Sequence, residues 1–250
     1  MSILVGSTGF VGGHLQKGHS FEHQFNRSNI AKIENLETDL LVCAGLPSEK
    51  WKANKDPSSD WNNVLQLSQM LTKVKAENAI LISSIDVYQP AINVTERDSP
   101  NYNGKEAYGS NRAWFEVFFK SIFSNAIVIR LPGLFGNDLR KNLIFDLING
   151  RNDQVSNISG LSFFQYFNIS GIWDIIDVCR RNNLSLLNLA TEPVSAQEIA
   201  DIFKIKLNNT AGVVTYDMRS LNDSVFGGVN GYLQSKEHIL HEIEKLKRLS

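Results

Sequence analysis

Residues 3–12 read ILVGSTGFVG, and the fold is decided there. Ile3, Leu4 and Val5 have the composition of a buried strand that runs into Gly6, Gly9 and Gly12. Beyond them the chain can continue as a helix through Val11 and Leu15. A strand, a tight glycine turn and a helix N-terminus make a seat for a pyrophosphate. The first glycine permits the turn, the second lets the backbone approach the phosphates, and the third lets helix and strand pack closely. The free N–H groups of the helix face the anion. The spacing is G-x-x-G-x-x-G, one residue away from G-x-G-x-x-G, and alone it also fits a glycine-rich turn between any strand and helix.

Working outward, apolar runs bounded by turn signals recur: DLLVCAG (39–45), AILISS (79–84), AIVIRLPG (126–133) and LSLLNLA (184–190). Runs apolar on both faces suit a parallel sheet covered by helices. Between them lie helical patterns. Residues 61–77 place Val64, Leu65, Leu67, Met70, Leu71 and Val74 on one apolar face, and 111–123 space Trp114, Phe115, Phe118, Phe119 and Ile122 likewise. Alternating strand and helix implies an α/β fold, a Rossmann-like doubly wound parallel sheet. Only a polar, irregular stretch separates the glycine turn from DLLVCAG. A second strand near His23–Asn26 fits there, with little room for a further helix and strand, so one sheet edge is expected to be trimmed.

After Pro132 the texture changes to short helices, among them Leu143–Ile148, and polar loops. Ser195 with Glu198 three residues on is a capping-box pattern, and a last helix over 236–248 sets Ile239, Leu240, Ile243 and Leu246 on one face. The reading is a dinucleotide-binding domain over 1–136 and 164–190. Residues 137–163 and 191–250 form a small substrate-binding lid, in pieces too small to stand as an independent domain.

Hydrophobic residues make up 42% and charged residues 20% of the chain, an ordinary soluble composition, and the net charge of −1 offers no basis for a nucleic-acid or membrane partner. Cys43 and Cys179 lie in apolar runs without ligand spacing, so they read as reduced core residues and imply a cytoplasmic setting. The five histidines show no metal-ligand spacing; His14, His19 and His23 read as polar loop or helix surface, and no metal site is expected.

Two further motifs carry chemistry. LISSIDVY (81–88) is a buried strand ending in hydroxyl residues, and YGSNR (108–112) opens a helix. Tyr108 and Arg112, four apart, share a helix face and put a cation beside a phenol. Ser84 at a strand's C-terminal end can reach the same substrate oxygen as Tyr108. This set serves hydride transfer at a carbonyl: a nicotinamide carries the hydride, Tyr108 the proton, and Ser84 polarises the oxygen.

At this point the chain resembles the extended short-chain dehydrogenase/reductase superfamily, which contains nucleotide-sugar epimerases, dehydratases and reductases. GSTGFVG resembles its glycine motif, SSIDVY its hydroxyl-bearing strand, YGSNR its Y-x-x-x-K helix, and RLPGLFG (130–136) its segment leading to the substrate. The resemblance implies cofactor contacts at Gly6, Thr8, Gly9, Phe10, Gly12, Arg27, Ser28, Cys43, Ala44, Gly45, Tyr108, Arg112 and Leu131. It implies substrate contacts at Ser84, Ile85, Asp86, Asn142 and Arg219.

The departures discriminate. Arg112 replaces the family's lysine; it can support a tyrosinate electrostatically but does not relay protons, because a guanidinium stays protonated. The alternative for Arg112 is a surface pair with Glu116, one turn on. Ile85 takes the place where dehydratases carry an acid, which disfavours dehydration. FFQYFNIS (163–170) lacks the arginine often used for the diphosphate, leaving Arg140, Lys141 or Arg219. HQFNRSN (23–29) holds no acid, and Arg27 with Ser28 suits a 2′-phosphate, so NADP is favoured over NAD. The reading is an NAD(P)-dependent reductase of a nucleotide-linked keto-sugar, homodimeric through 61–77 and 108–123. An epimerase of the same fold, or a reductase-like NADP-binding regulatory protein, stays open.

Overall fold

The computed structural model describes residues 1–249, apart from the side chain of Asn152. In chain order the strands are β1 (Ser2–Val5), β2 (His23–Phe25), β3 (Glu37–Cys43), β4 (Lys75–Ser84), β5 (Ile92–Val94), β6 (Ala126–Leu131), β7 (Gly133–Phe135), β8 (Phe163–Phe164), β9 (Tyr166–Asn168), β10 (Leu186–Asn188), β11 (Val194–Ser195) and β12 (Asp217–Met218). The helices are α1 (Phe10–Gly18), α2 (Lys50–Lys55), α3 (Pro57–Leu71), α4 (Ala107–Ile122), α5 (Leu143–Ile148), α6 (Asn152–Val155), α7 (Ile172–Arg181), α8 (Ala196–Ile202) and α9 (Lys236–Leu249).

The chain divides into two compact units. The first, residues 1–89, 98–130 and 172–187, contains most of a six-stranded sheet in the order β10-β6-β4-β3-β1-β2. β1 lies parallel between β2 and β3, with Val5 opposite both Phe25 and Cys43, and β3 pairs parallel with β4, Cys43 opposite Leu81. Four consecutive strands thus bring Phe25, Val5, Cys43 and Ser84 to one edge, the carboxyl ends where open α/β sheets bind ligands. The expected trimming is real: β2 is the edge strand, and a single 3₁₀ turn over Ile30–Ile33 carries the chain back to β3.

Two helix boundaries differ from the periodicity. α3 begins at Pro57, where the Asp56 side chain accepts the Ser59 N–H at 3.0 Å, and ends at Leu71 rather than 77. Lys75 and Ala76 instead pair with Glu37 and Thr38 and start β4, because closing the β3–β4 ladder satisfies their backbone groups. α4 begins at Ala107, four residues earlier than the apolar spacing indicates. His14 is buried against the Phe10 ring at 5.1 Å, not on a helix surface, and His19 stacks on Trp173 at 4.4 Å.

The second unit comprises residues 90–97, 131–171 and 188–250. It has its own buried core, which includes Phe135, Leu143, Ile144, Tyr166, Val194, Ile199, Ile239 and Ile243. Its extent exceeds the sequence reading by residues 90–97, 131–136, 164–171 and 188–190, because β5, β7 and β9 make small sheets within it: β7 with β9, and β5 with β12. The Ser195–Glu198 capping box opens α8 as expected. Among the described residues no helix is long and apolar enough to cross a membrane.

Candidate active site

The glycine turn is built on close approach. Gly6 has φ +89°, and a Cβ there would lie 2.2 Å from the Ala44 carbonyl oxygen; a Cβ on Gly12 would lie 2.1 Å from the Gly6 carbonyl oxygen. Both positions therefore exclude side chains. Gly9 is the N-cap of α1 and offers no side-chain cap, so the first-turn N–H groups stay bare; Thr8 and Gly9 are exposed and Phe10 half-buried beside them. Bare, solvent-facing helix N–H groups at the carboxyl end of β1 fit a dinucleotide pyrophosphate. Arg27 is exposed just past β2, its Nη2 donating to Asn63 at 3.1 Å, and Ser28 donates to Asn26 at 2.7 Å. Cys43 lies beneath the site, not in it: it is wholly buried, and burial pushes its thiol up to about 12, while Ala44 and Gly45 just after the strand are half-buried.

Ser84 ends β4 and Tyr108 opens α4. What joins them is Gly109: a Cβ there would lie 1.8 Å from the Asp86 carbonyl oxygen, so only glycine lets α4 come down on the turn after β4. The helix start has no side-chain cap of its own. Gln89 accepts the Glu106 N–H at 3.0 Å and donates to the Glu106 carbonyl at 3.0 Å, while Asn54 accepts the Tyr108 N–H at 3.0 Å. The Tyr108 phenol is thereby brought near the Ser84 hydroxyl, which pulls its pKa down. Ser84 also accepts the Asp86 N–H at 3.1 Å, and its hydroxyl lies 3.4 Å from an Asp86 carboxylate oxygen. The other carboxylate oxygen binds Lys50 at 2.9 Å. Ser84, Asp86, Tyr108 and Arg112 are thus one cluster.

Arg112 is neither a surface residue nor a partner of Glu116. It is 2% exposed and forms a forked pair with Asp60, itself 4% exposed. One terminal nitrogen binds Asp60 and the Tyr108 carbonyl (3.2 Å); the other binds Asp60 (3.0 Å) and the Pro47 carbonyl (2.5 Å). Asn111 adds a bond to Asp60 at 2.8 Å. All four N–H bonds of the two terminal nitrogens are used within the protein, so they are committed to Asp60 and to backbone carbonyls. Its guanidinium instead lies 3.9 Å from the Tyr108 ring centre, a cation–π contact.

The expected lowering of the phenol's pKa does not occur. Burial pushes Tyr108 up; Arg112 and the Ser84 hydroxyl pull it down, while Asp86 and Asp60 push it up, and the pKa is raised. Tyr108 is therefore a protonated acid at neutral pH rather than a tyrosinate.

Glu116 belongs to a second buried cluster that sequence reading missed. It receives three bonds from Arg130, at 2.6, 3.0 and 3.1 Å, and one from Ser83 at 2.5 Å. Arg130 also donates to the Tyr88 hydroxyl. Ile85 is buried and packs as a core residue, and Leu131 is buried at the end of β6, so neither offers its side chain to a ligand. In the second unit, Asn142 caps α5: it accepts the Phe145 N–H at 3.1 Å and donates to the Leu134 carbonyl at 2.8 Å. Arg219 pairs with Asp217 at 3.2 Å and lies over Tyr232. Among the described residues no group of three or more metal-ligating side chains is present.

No protein-family model and no curated protein matches the chain. Solved structures do. dTDP-4-dehydrorhamnose reductase from Bacillus anthracis in complex with NADP is 14% identical with a TM-score of 0.76, covering 100% of this chain and 98% of its own. MoeE5 in complex with UDP-glucose and NAD is 14% identical with a TM-score of 0.76, covering 99% and 97%. UDP-N-acetylglucosamine 4-epimerase from Methanobrevibacter ruminantium is 13% identical with a TM-score of 0.73, covering 99% and 96%. At these identities the likeness, over the whole chain, is one of fold: the Rossmann-like α/β architecture with a parallel central sheet.

Proposed function

We propose that this protein is an NAD(P)-dependent reductase of a nucleotide-linked keto-sugar. The observation that carries the reading is the close seating of the α4 start, with Tyr108, on the turn after β4, with Ser84, which Gly109 permits, two strands from the uncapped glycine turn after β1 in the same parallel sheet. Gly6, Gly9, Gly12 and the first N–H groups of α1 would hold the pyrophosphate of the cofactor, and Arg27 with Ser28 favours a 2′-phosphate, hence NADP. When bound, the reduced nicotinamide supplies a hydride. Ser84 orients the substrate carbonyl by hydrogen bonding, and Tyr108, kept protonated by its burial, delivers the proton to the same oxygen. The paired Arg112 holds the Tyr108 ring from its face. The second unit is assigned substrate recognition, with Arg219, Arg140 and Lys141 as its candidate cations.

A homodimer through α3 and α4 belongs to this reading. Trp114 is 36% and Val117 53% exposed, with Trp114 stacked on Phe118 and edge-on to Trp61, an aromatic patch suited to a self-complementary face. Sedimentation velocity on Val117→Glu tests it. The buried, unreactive thiols of Cys43 and Cys179 suit a cytoplasmic setting.

The deciding experiment is a purified-protein assay. Exchangeable cofactor with NADPH consumed by a panel of nucleotide 4-keto-sugars supports the reductase. Tightly bound cofactor with no net consumption supports an epimerase, and NADPH binding without turnover on any sugar supports a regulatory protein.

A further inference from the structure

The first turn of α4 carries Tyr108 but has no side-chain cap of its own, so its free N–H groups need partners from elsewhere. One partner comes from α2. Asn54 accepts the Tyr108 N–H at 3.0 Å, from 54 residues away in sequence. Lys50 lies one turn earlier on the same face of α2. Its ammonium binds the Glu106 carboxylate at 2.5 Å, two residues before Tyr108, and the Asp86 carboxylate at 2.9 Å, two residues after Ser84. Arg112, one turn further along α4, donates to the Pro47 carbonyl at 2.5 Å and ties down the segment that enters α2. All of these residues belong to the first unit. A helix of six residues does not persist on its own in water, so α2 owes its order to contacts such as these and to the buried Ala53.

We propose that Asn54 and Lys50 are positioning residues, and that α2 is the brace that sets where Tyr108 stands relative to Ser84. This rests on the reductase reading, in which both hydroxyls must meet one substrate oxygen. Asn54 and Lys50 are assigned no contact with substrate or cofactor; they act through the backbone of α4 and the turn after β4. Asn54 fixes the point at which the chain enters α4, and with it the Tyr108 backbone. Lys50 joins the residue ahead of that point to the turn that follows Ser84, so one ammonium spans both sides of the site. Gly109 permits the close approach, because it has no Cβ to strike the Asp86 carbonyl, but a glycine cannot enforce it. The brace enforces it. Without the Asn54 acceptor the Tyr108 N–H loses its partner at a half-buried position, and the turn must move to find another. A displacement of about an ångström at the phenol slows the chemical step by about 100-fold.

The test is steady-state kinetics of the full chain with NADPH and nucleotide 4-keto-sugars. Asn54→Ala should lower kcat by about 10- to 100-fold and leave KM for NADPH within about twofold, because the glycine turn after β1 is untouched. Asn54→Asp keeps an acceptor at the start of α4, where a carboxylate is also favoured, and should recover most of that loss. Lys50→Met should lower kcat in the same way and Lys50→Arg should hold it near wild type; should Asn54→Ala not fold, this pair carries the comparison. Combining Asn54→Ala with Lys50→Met should cost less than the product of the two single losses, since each frees the same brace. An active protein in which Asn54→Ala and Lys50→Met keep the wild-type kcat, or in which Asn54→Asp and Lys50→Arg recover nothing, overturns the brace alone. A wild type that oxidises no NADPH with any of these sugars overturns the reductase reading and the role in turnover with it. A second readout needs no turnover: amide hydrogen exchange at Tyr108 should quicken in Asn54→Ala and not in Asn54→Asp, and exchange unchanged in Asn54→Ala overturns the tie between α2 and α4.

Discussion

Two tyrosines of the first unit each lie against an arginine that is itself paired with a carboxylate, and they have opposite fates. Tyr88 is buried; Arg130 lies 4.9 Å from its ring centre and also donates to its hydroxyl, while Glu116 holds Arg130 through three bonds. Tyr108 is half-buried; Arg112 lies 3.9 Å from its ring centre, but its donors go to Asp60 and to backbone carbonyls, and the phenol is left to Ser84. The same three residue types make a strut when the arginine consumes the hydroxyl, and leave the phenol available for the proposed proton transfer when it supports only the ring. What separates the two is where the guanidinium points.

The widest gap between them should appear in activity. Tyr108→Phe keeps the ring on Arg112 and loses only the acid, so turnover should drop by about 100- to 10,000-fold with NADPH affinity unchanged by calorimetry. Tyr88→Phe should leave turnover within a few-fold and cost about 1 kcal/mol of stability in chemical denaturation. A Tyr88→Phe variant as inactive as Tyr108→Phe would erase the distinction. Gly109→Ala sharpens it from the backbone: with a Cβ only 1.8 Å from the Asp86 carbonyl oxygen, α4 must back away from Ser84. Turnover should fall by about 100-fold, since misplacing a catalytic group by an ångström costs that much.

Next in size is stability. Glu116→Ala leaves Arg130 charged and buried without its partner, at a cost of about 3–5 kcal/mol. Asp60→Ala should cost a comparable amount and also slow turnover, because the freed guanidinium no longer holds the Tyr108 ring. If Glu116→Ala proves as stable as wild type, the strut assignment fails.

The parts of this contrast that could be read in sequence are the local ones. The turn after β1 was legible because three glycines within seven residues have few other uses, and Ser84 and Tyr108 because each ends or begins an element at a motif. The pairing of Arg112 was not. Helix geometry offers Glu116 one turn away, but Arg130 reaches across from β6 to take it, and Asp60, which takes Arg112 instead, is 52 residues distant on α3. Asn54, Gln89 and Lys50 escaped for the same reason: an isolated polar residue acquires a role only when tertiary packing brings it to an unsatisfied helix end or carboxylate. The C-terminal end of α3 was misplaced because ladder pairing by Lys75 and Ala76 overrides the continuing apolar period.

The finest distinction is a pair of opposed pH shifts at Tyr108. In the proposed reaction the phenol acts protonated, so activity should be lost as pH rises through its pKa, which lies above the ordinary tyrosine value because burial outweighs the pull of Arg112. Removing Arg112 takes away a charge that lowers that pKa, so Arg112→Ala should move the basic limb of the pH–rate profile upward while reducing its plateau. Removing the charge of Asp60 takes away one that raises it, so Asp60→Asn should move the limb downward. Arg112→Lys keeps the charge and loses the fork and the flat contact with the ring; its limb should stay near wild type and its plateau fall by less than about tenfold, since lysine is a poor substitute at a forked, stacked position. The corresponding change at Arg130 should leave the limb where it is, because the hydroxyl it holds takes no part in the chemistry. Limbs that move together in Arg112→Ala and Asp60→Asn would mean that the pair acts on Tyr108 only by packing.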